Sequence, residues 1–454
     1  MPSVRERAPI AAPARGAAGG GADEDHRSRG RIAADVATLC GPRYTSSATG
    51  ITRHAYTPEY ERTVDFFAHA FRALGYDVHL DPVGTFVASN RGPGEACVGL
   101  GSHCDANRGG GPYDGTLGVV CALEVCRLAH ERGLDLPFRV IAFLEEEGSG
   151  FGSSLLGSRI MLGDVDAAEL AGLRDEHGVD FATAATAAGH APERRDESAA
   201  ELDGMLAWIE VHIEQGRLLE DRDLELGIVT AIAGYVHGDV TVGGRADHAG
   251  GTPMELHSDA LVTAGEAIVE LDRLTRAVGD DVVGTVGEVD VSPGLINVVP
   301  GEVTFSLDVR SASGGHLEAL EGILAYARGR AASREQPVRY VERVRVPPTP
   351  MDAGVVTTLE AVADEQAVRW TSMVSGAAHD TMLVARRVPA AMVFVPCRDG
   401  ISHAPEEYSD PCFAAAACRL VLAAAERLVS PHGAAAPAGV APSSPTGEPG
   451  PCDS

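Results

Sequence analysis

The segment from Gly101 to Gly115, GSHCDANRGGGPYDG, constrains the fold of this chain more than any other. It follows a short apolar run, carries His103, Asp105 and Asp114, and then leads through a glycine-rich turn into a long apolar helical pattern. A strand that delivers histidine and aspartate into a loop before a helix is a typical place for a metal ion. The segment therefore predicts a buried strand, a ligand-bearing loop and a buried helix.

Composition excludes several classes of protein. The chain has 454 residues with 44% hydrophobic content, which is enough for a large core and for two domains. A net charge of −28 disfavours nucleic acid and anionic membranes as partners. The sequence lacks the apolar core of a signal peptide and the run of ~18 apolar residues that a membrane span needs. Nine cysteines without a C-x-x-C pair indicate reduced thiols, so we expect a cytoplasmic protein.

The order of elements predicts an α/β protein with an insertion. Residues 31–234 alternate helices with short apolar strands, which indicates the first part of a catalytic domain built on a mostly parallel sheet. Residues 235–345 follow the order β-α-β-β-α-β, which predicts an inserted ferredoxin-like α+β domain. Residues 346–430 would complete the first sheet. The ends of the chain, 1–30 and 431–454, are rich in Ala, Pro, Gly and Ser and are predicted to be disordered.

The boundaries of single elements follow from the spacing of apolar residues. The patterns predict helices at 58–74, 115–132, 256–277 and 315–334, and strands at 96–103, 138–145, 208–214, 282–290, 302–310, 338–345 and 390–395. The charged, alanine-rich segment 164–200 is interpreted as a helical insertion.

Further acidic and histidine residues fall at the ends of these strands. Glu145, Glu146 and Glu147 follow the apolar run VIAFL, and three adjacent carboxylates there would repel each other unless cations were present. His212 lies in the strand WIEVHIEQG, and His403 lies in the loop GISHAPEEYSD. Taken singly, a histidine in a strand such as His212 is more often a packed core residue than a metal ligand, and the glutamate triplet and the His403 loop are as common in solvated turns as in metal sites.

Together these residues predict a metal site with two ions. Two divalent ions could share Asp114 as a bridging ligand, as two-metal hydrolases require. Ligands that offer nitrogen and oxygen but no thiolate suit zinc, manganese or cobalt, with zinc first and manganese second.

The segments GSHCD, GGGPYDGTLGV, EEEG, HIEQG, HAGGTPM and SHAPEEYSDP resemble the motifs of the aminoacylase-type dinuclear metallohydrolases, and most closely the hydantoinase/carbamoylase branch. The resemblance extends over residues 31–430. It implies that His103, Asp114 and His212 hold one metal ion, and that Asp114, Glu147 and His403 hold the other.

The resemblance also implies roles around the metal ions. Glu146 corresponds to the general base, and Asp105 corresponds to the carboxylate that orients His103. In the inserted domain, which resembles a lid that pairs two subunits, His248 corresponds to a histidine that stabilises the oxyanion. The substrate-binding positions are Gln215, Asn297, Arg310, Gly376, His379 and Asp380, with Asn297 and Arg310 as the clamp for a substrate carboxylate. Where the family usually has an arginine after EEEGS, this chain has Gly150.

The sequence thus predicts a homodimeric hydrolase that acts on a linear, non-peptide C–N bond, foremost the carbamoyl group of an N-carbamoyl-L-amino acid. Allantoate amidohydrolase is the nearest alternative, followed by a β-ureidopropionase and an N-acyl amino-acid deacylase. A metal-bound but inactive binding scaffold would be expected to have lost part of the catalytic set, which is complete here. A nucleotide-binding loop is disfavoured because the glycines at 109–111 lack a following lysine and serine or threonine.

Overall fold

The computed structural model describes residues 19–430 of the chain. In this part, the α-helices are α1 (Gly19–Leu39), α2 (Pro58–Ala73), α3 (Thr116–Glu131), α4 (Leu156–Met161), α5 (Ala167–Gly172), α6 (Phe181–Ala187), α7 (Leu218–Asp221), α8 (Ala260–Val278), α9 (Gly315–Ala332), α10 (Ala353–Glu365), α11 (Asp380–Val384) and α12 (Pro411–Leu428). Short 3-10 helices occupy Pro192–Leu202, Met254–Leu256 and Arg398–Gly400.

The β-strands of the same part are β1 (Ile51–Arg53), β2 (Asp77–Leu80), β3 (Phe86–Ser89), β4 (Cys97–His103), β5 (Ala106–Gly110), β6 (Phe138–Phe143), β7 (Met205–Ile213), β8 (Leu226–Ile232), β9 (Gly234–Gly243), β10 (Val283–Thr285), β11 (Val289–Ser292), β12 (Glu302–Ser311), β13 (Val338–Val346), β14 (Thr349–Pro350), β15 (Trp370–Ser375) and β16 (Ala390–Val395). The predicted insertion at 164–200 contains α5, α6 and most of the first 3-10 helix. None of the described helices combines the length and the apolar composition needed to cross a membrane.

Helix α1 contradicts one prediction that was based on composition. Residues 19–30 were expected to belong to a disordered tail, but they form the first half of this helix; residues 1–18 and 431–454 lie outside the described part. The helix is held because Ile32, Val36 and Leu39 are buried in the main core. Its Arg31 also lies 2.6 Å from Glu124 of α3, whose side chain is fully buried. Composition failed here because the partners that order this segment lie far along the chain.

The main sheet has a parallel centre. Its strands run in the order β14-β8-β16-β7-β4-β6-β3-β2, with β15 paired to β8. The pairs β16·β7, β7·β4 and β4·β6 are parallel, whereas β3 and β2 are antiparallel to their neighbours. Every residue of β4, β6 and β16 is buried, as expected for parallel strands that are covered on both faces. The predicted α/β class with a mostly parallel central sheet is confirmed.

The parallel strands at the centre of the main sheet determine where the predicted site lies. The carboxyl ends of neighbouring parallel strands meet at one edge of a sheet, where α/β proteins bind their ligands. His103 is the last residue of β4, Glu145 to Glu147 follow β6, and His212 is the penultimate residue of β7. The loop with His403 follows β16. Four segments that are far apart in the sequence therefore meet at this edge.

A second sheet spans Gly234–Val346 and has its own core. Its strands run in the order β10-β12-β9-β13, with β11 also paired to β12, and all the pairs are antiparallel. Helices α8 and α9 cover one face, where Val236, Val240 and Val242 of β9 are buried. The alternate residues of β9, beginning with Tyr235 and His237, point to the other face because side chains alternate along a strand.

Candidate metal centre

Asp114 lies at the centre of the predicted metal site. Its Oδ1 is 3.1 Å from Nε2 of His212 and 3.5 Å from Nε2 of His103. Its Oδ2 is 3.1 Å from Nε2 of His403, and this nitrogen is 3.5 Å from Oε1 of Glu147. The five predicted ligands therefore form two groups that share Asp114, and in each group the candidate ligand atoms lie within 4.8 Å of one another.

A glycine allows the close approach of Asp114 and His103. Gly115, between Asp114 and α3, has a φ of 59°, which disfavours residues with a side chain. A Cβ at this position would lie 2.2 Å from Cε1 of His103. The glycine of the motif PYDG is therefore required by packing against His103 as well as by the turn.

Asp105 connects the two ligand-bearing loops. Its Oδ1 lies 3.4 Å from Nδ1 of His103, which leaves Nε2 of that ring for a metal ion. The same carboxylate accepts hydrogen bonds from the backbone N–H groups of Glu146 and Glu147, at 3.2 and 3.1 Å. Asp105 thus contacts both His103 and the loop that carries the acidic residues.

The three consecutive glutamates have different environments. Glu145 is buried, and its Oε1 accepts hydrogen bonds from the backbone of Gly150 and Phe151, at 2.5 and 2.7 Å. It therefore closes the loop and does not face the ligand groups. A Cβ on Gly150 would lie 2.5 Å from Oε2 of Glu145, so any side chain there would displace this carboxylate. Glu146 and Glu147 face the site, and Oε2 of Glu146 is 3.7 Å from Nε2 of His103.

The electrostatics of this cluster fit a pair of cations. Burial, supported by the charge of Asp114, raises the pKa of Glu147 to about 7. Burial also raises the pKa of Glu146 well above its usual range, although the nearby His103 opposes this shift. Buried carboxylates that face imidazole nitrogens are compensated when divalent ions bind between them. The donor set contains nitrogen and oxygen but no thiolate, which suits zinc, manganese or cobalt.

Several residues that support the ligands were not identified from the sequence. Glu407 accepts hydrogen bonds from the backbone N–H groups of Tyr113 and Asp114, at 2.7 and 2.9 Å, and from that of His403 at 3.2 Å. The hydroxyl of Ser402 lies 3.0 Å from Oε2 of Glu407 and 2.9 Å from Oδ2 of Asp114, so its single proton can be donated to either carboxylate. Glu407 therefore connects two ligand loops that are almost 300 residues apart. The motif SHAPEEYSD marked it only as an acid near His403.

Asn107 is a second support that the sequence did not reveal. Its Nδ2 donates to Oε2 of Glu147 at 2.7 Å and lies 3.2 Å from Nδ1 of His403. It therefore holds two ligands of the same group. Below the site, Glu210 accepts hydrogen bonds from Ser102 and Thr381, one on each carboxylate oxygen, and so supports β7 beside His212.

A cavity of about 410 Å³ opens beside the ligands. It is lined by Glu146 and four of the five predicted ligands, and also by Gln215, His379 and Arg310, which were predicted to bind substrate. Gln215 also donates to Oδ2 of Asp114 at 2.8 Å. Gly376 is not in the lining, but its carbonyl accepts a hydrogen bond from Arg310 at 2.9 Å. Tyr235 and His237 complete the wall formed by the second sheet.

His248 and Asn297 are not among the residues that line this cavity. Both are exposed, and they lie side by side because the backbone of Ala249 donates to the carbonyl of Asn297 and His248 forms a bridge with Val298. The two residues lie together, but outside the pocket that contains the candidate ligands. The roles in the oxyanion site and the carboxylate clamp stay predictions.

Known proteins are similar to this chain over most of its length. The profile of peptidase family M20/M25/M40 matches residues 101–427. An N-carbamoyl-L-amino-acid amidohydrolase of Paenarthrobacter aurescens is 39% identical over 373 residues, covering 81% of this chain and 90% of that protein. An allantoate amidohydrolase of Bacillus subtilis (strain 168) is 34% identical over 374 residues, covering 81% and 90%.

A solved structure shows the same similarity in three dimensions. The crystal structure of a hydantoinase/carbamoylase family amidase from Burkholderia ambifaria superposes with a TM-score of 0.80 at 30% identity. The match covers 88% of this chain and 98% of the other. The similarity therefore extends over both sheets and is not limited to the ligand motifs.

Proposed function

This chain belongs to peptidase family M20/M25/M40 and is an amidohydrolase, as the motifs indicated, and we propose that it hydrolyses N-carbamoyl-L-amino acids. The products would be the free amino acid, carbon dioxide and ammonia. One observation carries this proposal. Asp114 belongs to both groups of candidate ligands, and Glu146 lines the same cavity beside them. The relative with 39% identity supports the substrate class.

We assign one divalent ion to His103, Asp114 and His212, and a second to Asp114, Glu147 and His403. Zinc or manganese is proposed for both, with cobalt as a further option. When bound, the ions supply Lewis acidity that polarises the ureido carbonyl and increases the acidity of a water molecule.

Glu146 is assigned the transfer of protons. Its carboxylate would remove a proton from the attacking water and return it to the leaving nitrogen, which a single base can do in sequence. Burial in the cavity and the position next to His103 support this role. Asp105 would maintain His103 in one tautomer and the glutamate loop in one position through the contacts described above.

We propose that Arg310 binds the carboxylate of the substrate. It lines the same cavity as Glu146, which supports a substrate that contacts both residues. A planar guanidinium is suited to a carboxylate because it can donate two parallel hydrogen bonds. Allantoate, which also carries a carboxylate and ureido groups, is the second candidate, since the 34% identical relative is an allantoate amidohydrolase.

The second sheet is proposed to pair two copies of the chain in a homodimer. The segments that carry His248 and Asn297 also expose Met254, Leu295 and Ile296, and the last of these is fully accessible. Exposed apolar side chains in one place are a common feature of protein interfaces. In the single chain His248 lies outside the cavity, so its oxyanion role requires either a partner copy or a movement of the second sheet.

We place the protein in the cytoplasm, which the free thiols of the described cysteines support.

One assay tests the proposed function. Protein loaded with manganese or zinc would be mixed with N-carbamoyl-L- and D-amino acids, allantoate, N-carbamoyl-β-alanine and N-acetyl amino acids, and ammonia or amino-acid release would be measured. We expect the highest kcat/KM for an N-carbamoyl-L-amino acid and loss of activity after chelation. A higher value for allantoate would favour the alternative, and turnover of N-acetyl substrates alone would refute both.

A further inference from the structure

Two cross-strand pairs of the second sheet contribute three side chains to the lining of the cavity. In the register of β9 and β12, Tyr235 lies opposite Arg310 and His237 lies opposite Asp308. Residues two apart on a strand share a face, so all four side chains lie on the face that α8 and α9 leave uncovered. Tyr235, His237 and Arg310 line the cavity.

Arg310 has few donors left for a substrate. Its Nε and one terminal nitrogen donate to Asp308, at 2.9 and 2.8 Å, and the other terminal nitrogen donates to the carbonyl of Gly376. A guanidinium has five N–H donors, so about two remain. Asp308 also compensates its positive charge. A carboxylate that binds here would therefore gain less binding free energy from Arg310 alone than from an arginine without an ion-pair partner.

Tyr235 offers the donor that this subsite lacks. Its ring lies under the guanidinium, 5.4 Å from the Arg310 carbon Cζ, and 4.8 Å from the ring of His237. Its hydroxyl makes no hydrogen bond within residues 19–430, although the residue is half-buried. Burial raises the pKa of Tyr235, so the phenol keeps its proton at neutral pH. Arg310 and Glu146 line the same cavity as Tyr235.

We propose that Tyr235 is a specificity-determining residue, whose hydroxyl donates a hydrogen bond to the substrate carboxylate beside the remaining N–H groups of Arg310. The inference rests on the proposed function, because it takes the carboxylate subsite from it. A hydroxyl that donates to an ionised carboxylate forms a stronger bond than one that donates to a neutral oxygen. The subsite then distinguishes ureido acids from the corresponding amides.

Calorimetry on the manganese-loaded E146Q protein tests this proposal without turnover. The ligands are N-carbamoyl-L-alanine and N-carbamoyl-L-alaninamide, which differ only in the charged group. We expect Y235F to weaken binding of the acid by about 10- to 100-fold, the range for a hydrogen bond to a charged group, and binding of the amide by less than about 3-fold. Y340F is the matched control, because Tyr340 belongs to the same sheet but packs against the helix-covered core.

Two further measurements separate the outcomes. Thermal unfolding and metal content should be the same for Y235F and its parent, so that a fold defect is recognised. A double-mutant cycle with R310K should give non-additive losses, because both residues hold one group. Unchanged binding of the acid, or equal weakening for acid and amide, would overturn the role of Tyr235. If wild-type protein turns over none of the ureido acids and E146Q binds none, the proposed function fails first, and the carboxylate subsite fails with it.

Discussion

The parallel centre of the main sheet buries most of its candidate site residues, whereas the second sheet leaves its candidate site residues partly open. His103, Asp114 and His212 are almost fully buried, and the backbone N–H of Gly115, next to Asp114, donates a hydrogen bond to His212. Arg310 and Tyr235 are half-buried on a sheet face without helices, and His248 is exposed. Reacting groups need a fixed geometry, while a substrate-binding wall must admit ligands of different shape. The difference predicts that chemistry depends on the first region and selectivity on the second.

The largest expected effect is at Glu146. E146Q keeps the size of the side chain but removes its basicity, so kcat should fall by about 10³-fold or more. Metal content should stay at the wild-type value, because Glu146 is not an assigned ligand. Steady-state kinetics with metal analysis would check this. Retained activity would contradict the role of Glu146 as the base. Loss of the ions would contradict its assignment as a residue that does not bind metal.

The next effect is at Glu407, which only positions the ligands. E407Q removes the charge that accepts the backbone N–H groups of Asp114 and His403, so metal affinity should fall about 10- to 100-fold. E406Q is the matched control, since Glu406 is the adjacent residue and is exposed. Competition with a fluorescent chelator measures the affinity, and saturating metal should restore most of kcat. Equal effects of the two substitutions would contradict the assignment.

A smaller effect is expected from the second sheet. R310K retains the charge but loses the planar fork that binds Asp308 and that we propose binds the substrate carboxylate, so KM for a ureido acid should rise about 10-fold while kcat changes little. Kinetics at fixed metal concentration would measure both values. A fall in kcat with constant KM would mean that the second sheet takes part in the chemistry, which would remove the proposed division.

The smallest effect concerns the edge of the main sheet. His79 of β2 is half-exposed and lies 2.8 Å from Glu201, and this hydrogen bond raises the pKa of His79. A raised pKa in the folded state stabilises the protein below the unfolded value of about 6.5, and this stabilisation is lost as the pH rises through the folded pKa. Solvent screening limits it to less than about 1 kcal/mol. Urea unfolding of wild type and H79Q between about pH 5 and pH 8 should show a flatter dependence of stability on pH for the variant.

Much of this fold could be predicted because its signals are local. The helix predicted at 58–74 is Pro58–Ala73, and it begins at a proline with the side chain of Thr57 as its cap. The strand predicted at 302–310 is Glu302–Ser311. The disorder predicted for 19–30 was wrong because the burial of Ile32 and the pairing of Arg31 with Glu124 depend on distant residues.

The sequence by itself determined which residue types are available for the chemistry and at which strand ends they lie. Periodicity and short motifs contain that information, because they depend on neighbours within a few turns or a single strand. Only the tertiary structure decided that Glu407 would join two ligand loops, that Asp308 would compensate Arg310, and that Tyr235 would face the same cavity as Glu146. These relations depend on strand register and loop packing between residues far apart in the chain, and no local pattern specifies them.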